Sequence, residues 1–290
     1  MTTTSLVGDL VRNIAGPDLA IVESLMGEGV DPHLYKGSPR DVRNLASAEM
    51  IFAGGLHLEG KLVSVLHRLS HQKNICLLGE QLSESCRNEG ENEPWIFDSG
   101  VADPHYWFDV QIWNRMSQLV AEKFSGFLPE QSSVFLEAAG HYKTRLDTLE
   151  QEIRAELAKI PEEHRILITS HDAFRYFGRA YDITVEGIQG LSTESEAGIR
   201  RTNQLVDLVV SRRIPSIFVE TSVSDDNVKA LVEGARARGH QLQIGGSLFS
   251  DAPGADGTPE GTYIGMMRHN LLVFTKAMTN NDLQRTNQTA

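Results

Sequence analysis

Between Pro129 and Pro161 the chain reads "EQSSVFLEAAGHYKTRLDTLEQEIRAELAKI", residues 130–160, with no proline and a single glycine. Apolar residues fall at 135, 139, 142, 146, 149, 153, 157 and 160. Steps of three and four keep one face of an α-helix apolar, so the spacing predicts one uninterrupted helix. Pro129 leads into it, and Pro161 stops it because the proline ring clashes with the preceding turn. Such a helix spans roughly 45 Å at 1.5 Å per residue. That is too long for a crossover within one small lobe. The stretch therefore divides the chain into a first lobe (1–129), a linking helix (130–160) and a second lobe (161–290).

On both sides of the divider, short apolar runs alternate with amphipathic helical patterns. "LAIVESL" (19–25), "MIFAGG" (50–55) and "NICLLG" (74–79) read as buried strands before it. "RILITS" (165–170), "TVEGI" (184–188), "SIFVET" (216–221) and "QLQIGG" (241–246) read as strands after it. Helices are expected in "SPRDVRNLASA", with Ser38 as N-cap, Pro39 in the first turn and Asp41 at the capping-box position. Others are expected at "LHLEGKLVSVLHRL" (56–69), "FDVQIWNRMSQLVAEKF" (108–124), "EAGIRRTNQLVDLVVSRR" and "DDNVKALVEGARARG". This alternation predicts an α/β fold: two lobes with mostly parallel sheets, joined by a single long α-helix. The polar end "TNNDLQRTNQTA" is expected to fray.

The totals narrow the function. The chain has 290 residues and a net charge of −12, which argues against a phosphate-neutralising surface and so against nucleic acid. No apolar run is long enough to span a membrane. The N-terminus lacks a basic stretch followed by an apolar one, so no signal peptide is expected within this chain. The two cysteines, Cys76 and Cys86, could pair in a small loop or remain free thiols.

The chemistry concentrates in loops. Asp31-Pro32-His33 recurs as Asp103-Pro104-His105, and a third histidine, His171, directly follows the strand "RILITS". Asp251 lies in the loop after "QLQIGG". Ligands of open α/β sheets bind at the carboxyl ends of strands, where His33, His171 and Asp251 all fall. Each Asp-Pro step stiffens its loop and holds an imidazole in a set direction. Three imidazoles and a carboxylate suit Zn²⁺, and Mn²⁺ less tightly. Against this, a loop histidine is often simply solvated, and Asp-Pro is an ordinary turn opener. His67 and His71 are expected on the surface, as are His141, His164 and His240. His57 is expected near the entrance of the site. His269 is expected to be a satisfied helix histidine beside core Met266 and Met267.

The stretches "GVDPHLYKGSPRDVRNLASAEMIFAGGLHLEG", "DPHYWFDV", "TSHDAFRYFGRAYDITVEGIQGLSTESEA", "IFVETSVS" and "GGSLFSDAPG" occur in this order almost end to end. In that arrangement the chain resembles the cluster A-I (cluster 9) metal-binding proteins of bacterial ABC importers, the TroA-like zinc and manganese receptors. The resemblance implies that each lobe donates two ligands to one metal in the cleft: His33 and His105 from the first, His171 and Asp251 from the second. Many manganese-type relatives carry Glu at the third position. His171 there moves the expectation to Zn²⁺, with Mn²⁺ or Fe²⁺ as alternatives. The implied partner is an ABC permease, the implied location periplasmic or at the extracytoplasmic cell surface, and the expected state a monomer without catalysis. The family's apolar first strand would precede "TTTS", so the edge of the first sheet is expected to be short. The competing reading is a zinc hydrolase on the same cluster, with Glu194, Glu196 or Glu220 as base.

Overall fold

A computed structural model describes residues 1–194 and 198–279. The first lobe runs β1 (Thr2–Thr4), α1 (Ser5–Ala15), β2 (Ser24–Met26), α2 (Pro39–Ser47), β3 (Met50–Ala53), α3 (Val63–Ser70), β4 (Asn74–Leu77) and α4 (Leu78–Glu89). A small antiparallel hairpin, β5 (Phe97–Asp98) and β6 (Val101–Ala102), then leads to α5 (Val110–Phe127). The four main strands form a parallel sheet in the order β2-β1-β3-β4. The long helix α6 (Ser132–Leu157) follows. The second lobe contains β7 (Ile166–Thr169), α7 (Arg175–Tyr181), β8 (Thr184–Gly187), α8 (Ile199–Ser211), β9 (Ser216–Glu220), α9 (Asp226–Ala237), β10 (Gln243–Leu248) and α10 (Tyr263–Thr279). Here β7 pairs with β8 and β9 with β10, both parallel, and β7 lies beside β9.

Helix α6 has 26 residues, roughly 39 Å at 1.5 Å per residue. Its buried face is Phe135, Ala139, Tyr142, Leu146, Leu149, Ile153 and Leu157, the positions the periodicity singles out. This face packs on α1, α5 and α10, so α6 is no isolated strut. One apolar core passes from Leu6 and Trp113 through Leu149 to Tyr176 and Met267, shared by both lobes. Two smaller cores lie under the first sheet, around Ile51 and Leu66, and around Ile217 and Leu231 in the second lobe. Among the described residues no helix is long and apolar enough to cross a membrane.

Several local expectations change. The capping box of α2 forms as read, with the Asp41 amide donating to Ser38 Oγ (3.2 Å) and the Ser38 amide to Asp41 Oδ2 (2.7 Å). The strand expected at 19–25 shrinks to Ser24–Met26 and leaves Ile21 91% exposed. The register Thr2↔Ser24 and Thr4↔Met26 sets residues 19–23 beyond the paired part of β1. Strand β1 is indeed short, but it lies inside the sheet, between β2 and β3, not at its edge.

The helix expected over 56–69 begins only at Val63, because Leu56 and His57 have positive φ (51° and 64°). That turn wraps the buried carboxylate of Glu59, which accepts from Gly54 N (2.6 Å), Gly55 N (3.2 Å) and the Thr3 hydroxyl (2.7 Å). His164 is buried rather than at the surface, because the short turn after Pro161 folds it inward. His240 is half-buried and bonds the Ile214 carbonyl at 2.7 Å. Cys76 and Cys86 are both buried and free. Of the C-terminal stretch expected to fray, residues 280–290 lie outside the described residues.

Candidate metal centre

The four residues singled out in the sequence meet at one point. His33 leaves the loop after β2, His105 the loop after β6, His171 the turn after β7, and Asp251 the loop after β10. One ligand-type atom from each lies within 4.8 Å of all the others. The side chains are closed off from water, at 3%, 0%, 0% and 1% exposure.

The repeated Asp-Pro-His step has a shared geometry. Asp31 Oδ1 accepts the His33 amide at 2.8 Å, and Asp103 Oδ1 accepts the His105 amide at 2.9 Å. Each aspartate thus closes a tight turn on the histidine two residues on, the hydrogen bond that Asx turns use. Asp103 Oδ1 also accepts from the ring, with His105 Nδ1 at 2.8 Å. In the second lobe Glu220, at the end of β9, accepts the His171 amide (2.8 Å) and His171 Nδ1 (2.6 Å). The His33 loop is set by contact with Gly60, where φ is +43° and an added Cβ would come within 2.3 Å of the His33 carbonyl.

These partners fix the ring tautomers. With Nδ1–H given to a carboxylate, His105 and His171 each point an Nε2 lone pair into the centre. Those two atoms are 3.3 Å apart, and His33 Nε2 lies 3.2 Å from His105 Nε2. Asp251 Oδ2 is held by the Ser222 and Ser250 hydroxyls, at 2.8 and 3.2 Å. Its Oδ1 is buried without a hydrogen-bond partner, 3.5 Å from Nε2 of both His105 and His171. Neutral imidazoles facing one another this way repel unless a cation lies between them. A tetrahedral ion with bonds of about 2.0–2.1 Å separates its ligand atoms by about 3.3–3.4 Å. The spacings among His105, His171 and Asp251 and between His33 and His105 match this, and all four atoms lie within 4.8 Å of one another, so the cluster can close on one small divalent ion.

Electrostatics follows the same arrangement. Burial pushes the His33 imidazole down to about 3, so it is neutral and ready to bind. Burial also pulls on His105, but the Asp103 hydrogen bond and charge outweigh it and raise the group to about 9. His171 is likewise raised well above the usual histidine range, because the Glu220 and Asp251 charges overcome its burial. Asp251 is held well below the usual carboxylate range despite its burial, by the nearby His171 and His105 rings. These shifts favour the protonated forms of His105 and His171 whenever no cation lies among them.

Among the described residues, the other candidates are not members of this cluster. His67, His71 and His141 are exposed, as expected, and His57 is exposed beside the Glu59 turn. His269 bonds the Ser247 carbonyl at 3.1 Å, and Met266 and Met267 are core. Of the proposed bases, Glu220 is committed to His171, Glu194 is exposed, and Glu196 lies outside the described residues. Asp251 stands where a hydrolytic zinc would keep a position open for water. The sequence reading missed the carboxylate work of Asp103 and Glu220. The signal for the first was in plain view, an aspartate two residues before each loop histidine. Glu220 meets His171 from 49 residues away, through the packing of β9 beside β7.

Comparison with known proteins gives the class. The family described as "Zinc-uptake complex component A periplasmic" matches residues 1–277. The manganese-binding lipoprotein MntA of Bacillus subtilis is 43% identical over 277 residues, 95% of this chain and 88% of that protein. The zinc-binding protein TroA of Treponema pallidum is 40% identical over 278 residues, 96% of this chain and 88% of that protein. The solved structure of the Treponema protein superposes with a TM-score of 0.89, covering 96% of this chain and 97% of that one. The chain belongs to this family of periplasmic metal-uptake components.

The carboxylate behind His171 gives a direct expectation. Glu220→Gln should weaken zinc binding by about 10–100-fold, as loss of an outer hydrogen-bond partner does in other metal sites. Chelator competition on the variant reads this out, and an unchanged affinity would show that Glu220 does not orient the ligand.

Proposed function

We propose that this chain captures one divalent transition metal ion between its lobes and hands it to an ABC permease outside the inner membrane. His33, His105, His171 and Asp251 are the ligands, and the ion is cargo, not a catalytic cofactor. The observation that carries this reading is the convergence of three buried imidazole Nε2 atoms and one partnerless carboxylate oxygen within 4.8 Å of one another. Zinc is favoured, because three imidazoles and one carboxylate suit it better than manganese or ferrous iron. The relatives support either of the first two metals, since one is named for manganese and another for zinc.

Residues 1–129 and 161–290 act as the two metal-holding lobes of a monomer, with 130–160 as the link. The shared core along α6 favours a modest local rearrangement on metal loss over a wide swing of the lobes. Elemental analysis of the purified protein, with zinc and manganese in competition, tests the proposal. One equivalent of bound metal is the expected result, and a protein that holds none under any loading condition would reject it.

The third ligand position should tune the ion. His171→Glu adds a harder donor and a negative charge, so the ratio of manganese to zinc affinity should rise. A ratio that is unchanged or shifted to zinc would remove position 171 from the account of selectivity.

A further inference from the structure

Among the described residues, and besides the contacts of the ligand rings themselves, four hydrogen bonds cross between the lobes within two residues of a proposed ligand. The Trp107 indole donates to the Ser250 carbonyl (3.0 Å), beside Asp251, and the Tyr176 hydroxyl to the Asp103 carbonyl (2.8 Å). Both are fully buried, as is the bond from the Tyr263 hydroxyl to the Trp107 carbonyl (2.8 Å). The fourth lies nearer solvent, where the Thr193 hydroxyl donates to Asp31 Oδ2 at 2.5 Å. Asp31 is half-buried, and its other oxygen holds the His33 amide. One carboxylate therefore joins Thr193 of the second lobe to the backbone of a first-lobe ligand.

Thr193 stands at the end of a strap that is fixed at its root. After β8 the backbone runs along the His171 turn, with Ile188 N on Thr169 O (3.0 Å), Gln189 N on Ser170 O (2.9 Å) and Asp172 N on Gly190 O (3.2 Å). Gly187 lets it lie flush, since an added Cβ would sit 2.5 Å from the Asp172 amide nitrogen. Arg201 grips the Gly187 carbonyl from Nε (3.0 Å) and Nη2 (2.7 Å). A continuous path of short contacts thus leads from the His171 turn to Thr193, Asp31 and His33. Of these four cross-lobe bonds, only the Thr193 bond is part-buried and reaches a half-buried partner, so it is the one that can break at the lowest cost.

We propose that Thr193 is a positioning residue that latches the cleft, holding His33 against His171 and setting how fast the metal leaves. This rests on the metal-capture reading above. Thr193 itself need not touch the ion.

The test uses the full chain loaded with zinc, mixed rapidly with excess chelator at fixed pH. Thr193→Val keeps the shape and removes the hydroxyl, while Thr193→Ser keeps the hydroxyl. Loss of a hydrogen bond to a carboxylate should speed release by about tenfold or more in Thr193→Val. Thr193→Ser should release at the wild-type rate. Wild-type release from Thr193→Val, or release from Thr193→Ser as fast as from Thr193→Val, would overturn the latch.

Hydrogen exchange at the His33 amide, measured without added metal, separates this from failure of the metal reading. If wild-type protein holds no zinc, metal capture is refuted and exchange alone decides the latch. Faster exchange in Thr193→Val but not in Thr193→Ser supports it, and equal exchange in all three overturns it.

Discussion

Asp251→Ala and His171→Ala should each weaken zinc binding by well over the roughly hundredfold cost of removing an outer partner, because each removes a donor atom itself. The two residues are 80 positions apart, yet both point into one buried centre with His33 and His105. Removing Asp251 has a second cost. It takes away the only carboxylate oxygen in the cluster, the negative charge that faces His105 and His171. Removing the His171 ring leaves Oε2 of the almost fully buried Glu220 without its partner, while Oε1 keeps the backbone amide at 171. His67→Ala and His71→Ala are the controls, since both side chains are exposed and lie outside the cluster. Competition against a chelator of known affinity gives the comparison. Wild-type affinity in either site variant would break the four-ligand assignment.

Acid should release the metal steeply. In the protein without metal His105 is raised to about 9 and His171 is raised as well, so both carry protons at neutral pH and the incoming ion must displace them. His33, lowered to about 3, is neutral throughout the physiological range and contributes no proton. Two displaced protons change the logarithm of the dissociation constant by about two per pH unit below the raised values. Affinity should therefore fall continuously from pH 7.5 to pH 5 and level off only above about 9.

The fold without metal responds in the opposite sense. A histidine raised above its unfolded value stabilises fully below about 6.5, and that stabilisation is lost as pH rises through the folded value. Between about 6.5 and 9, Tm without metal should thus drop with rising pH while metal affinity climbs. Calorimetry in buffers of different ionisation enthalpy counts the protons directly. No proton release, or an affinity flat with pH, would contradict this electrostatic picture.

The parts of the molecule legible in the sequence are those governed by local rules. The long helix is readable because its buried face repeats at three- and four-residue steps, and each of those positions is buried. The four ligand candidates are readable because strand ends and Asp-Pro turns place them locally. What escaped depends on contacts between distant segments. Glu59 folds the 54–57 turn around itself and so denies the first turn of an otherwise plausible helix. Residues 19–23 have a strand's composition, but the register with β1 leaves them past the pairing. Periodicity does not reveal that α10 returns to pack on α6 and α1, which turns an apparent strut into the spine of a shared core. The cross-lobe bonds of Thr193, Tyr176 and Trp107 likewise exist only once the lobes have met.

The central claim is that one ion is held by these four side chains, and anomalous diffraction at the zinc edge from crystals of the zinc-loaded protein tests it most directly. The expected map has a single strong peak in the cleft, about 2.0–2.2 Å from Nε2 of His33, His105 and His171 and from Asp251 Oδ1. A zinc peak elsewhere, or one at this point that lacks any of the four atoms, would contradict the account.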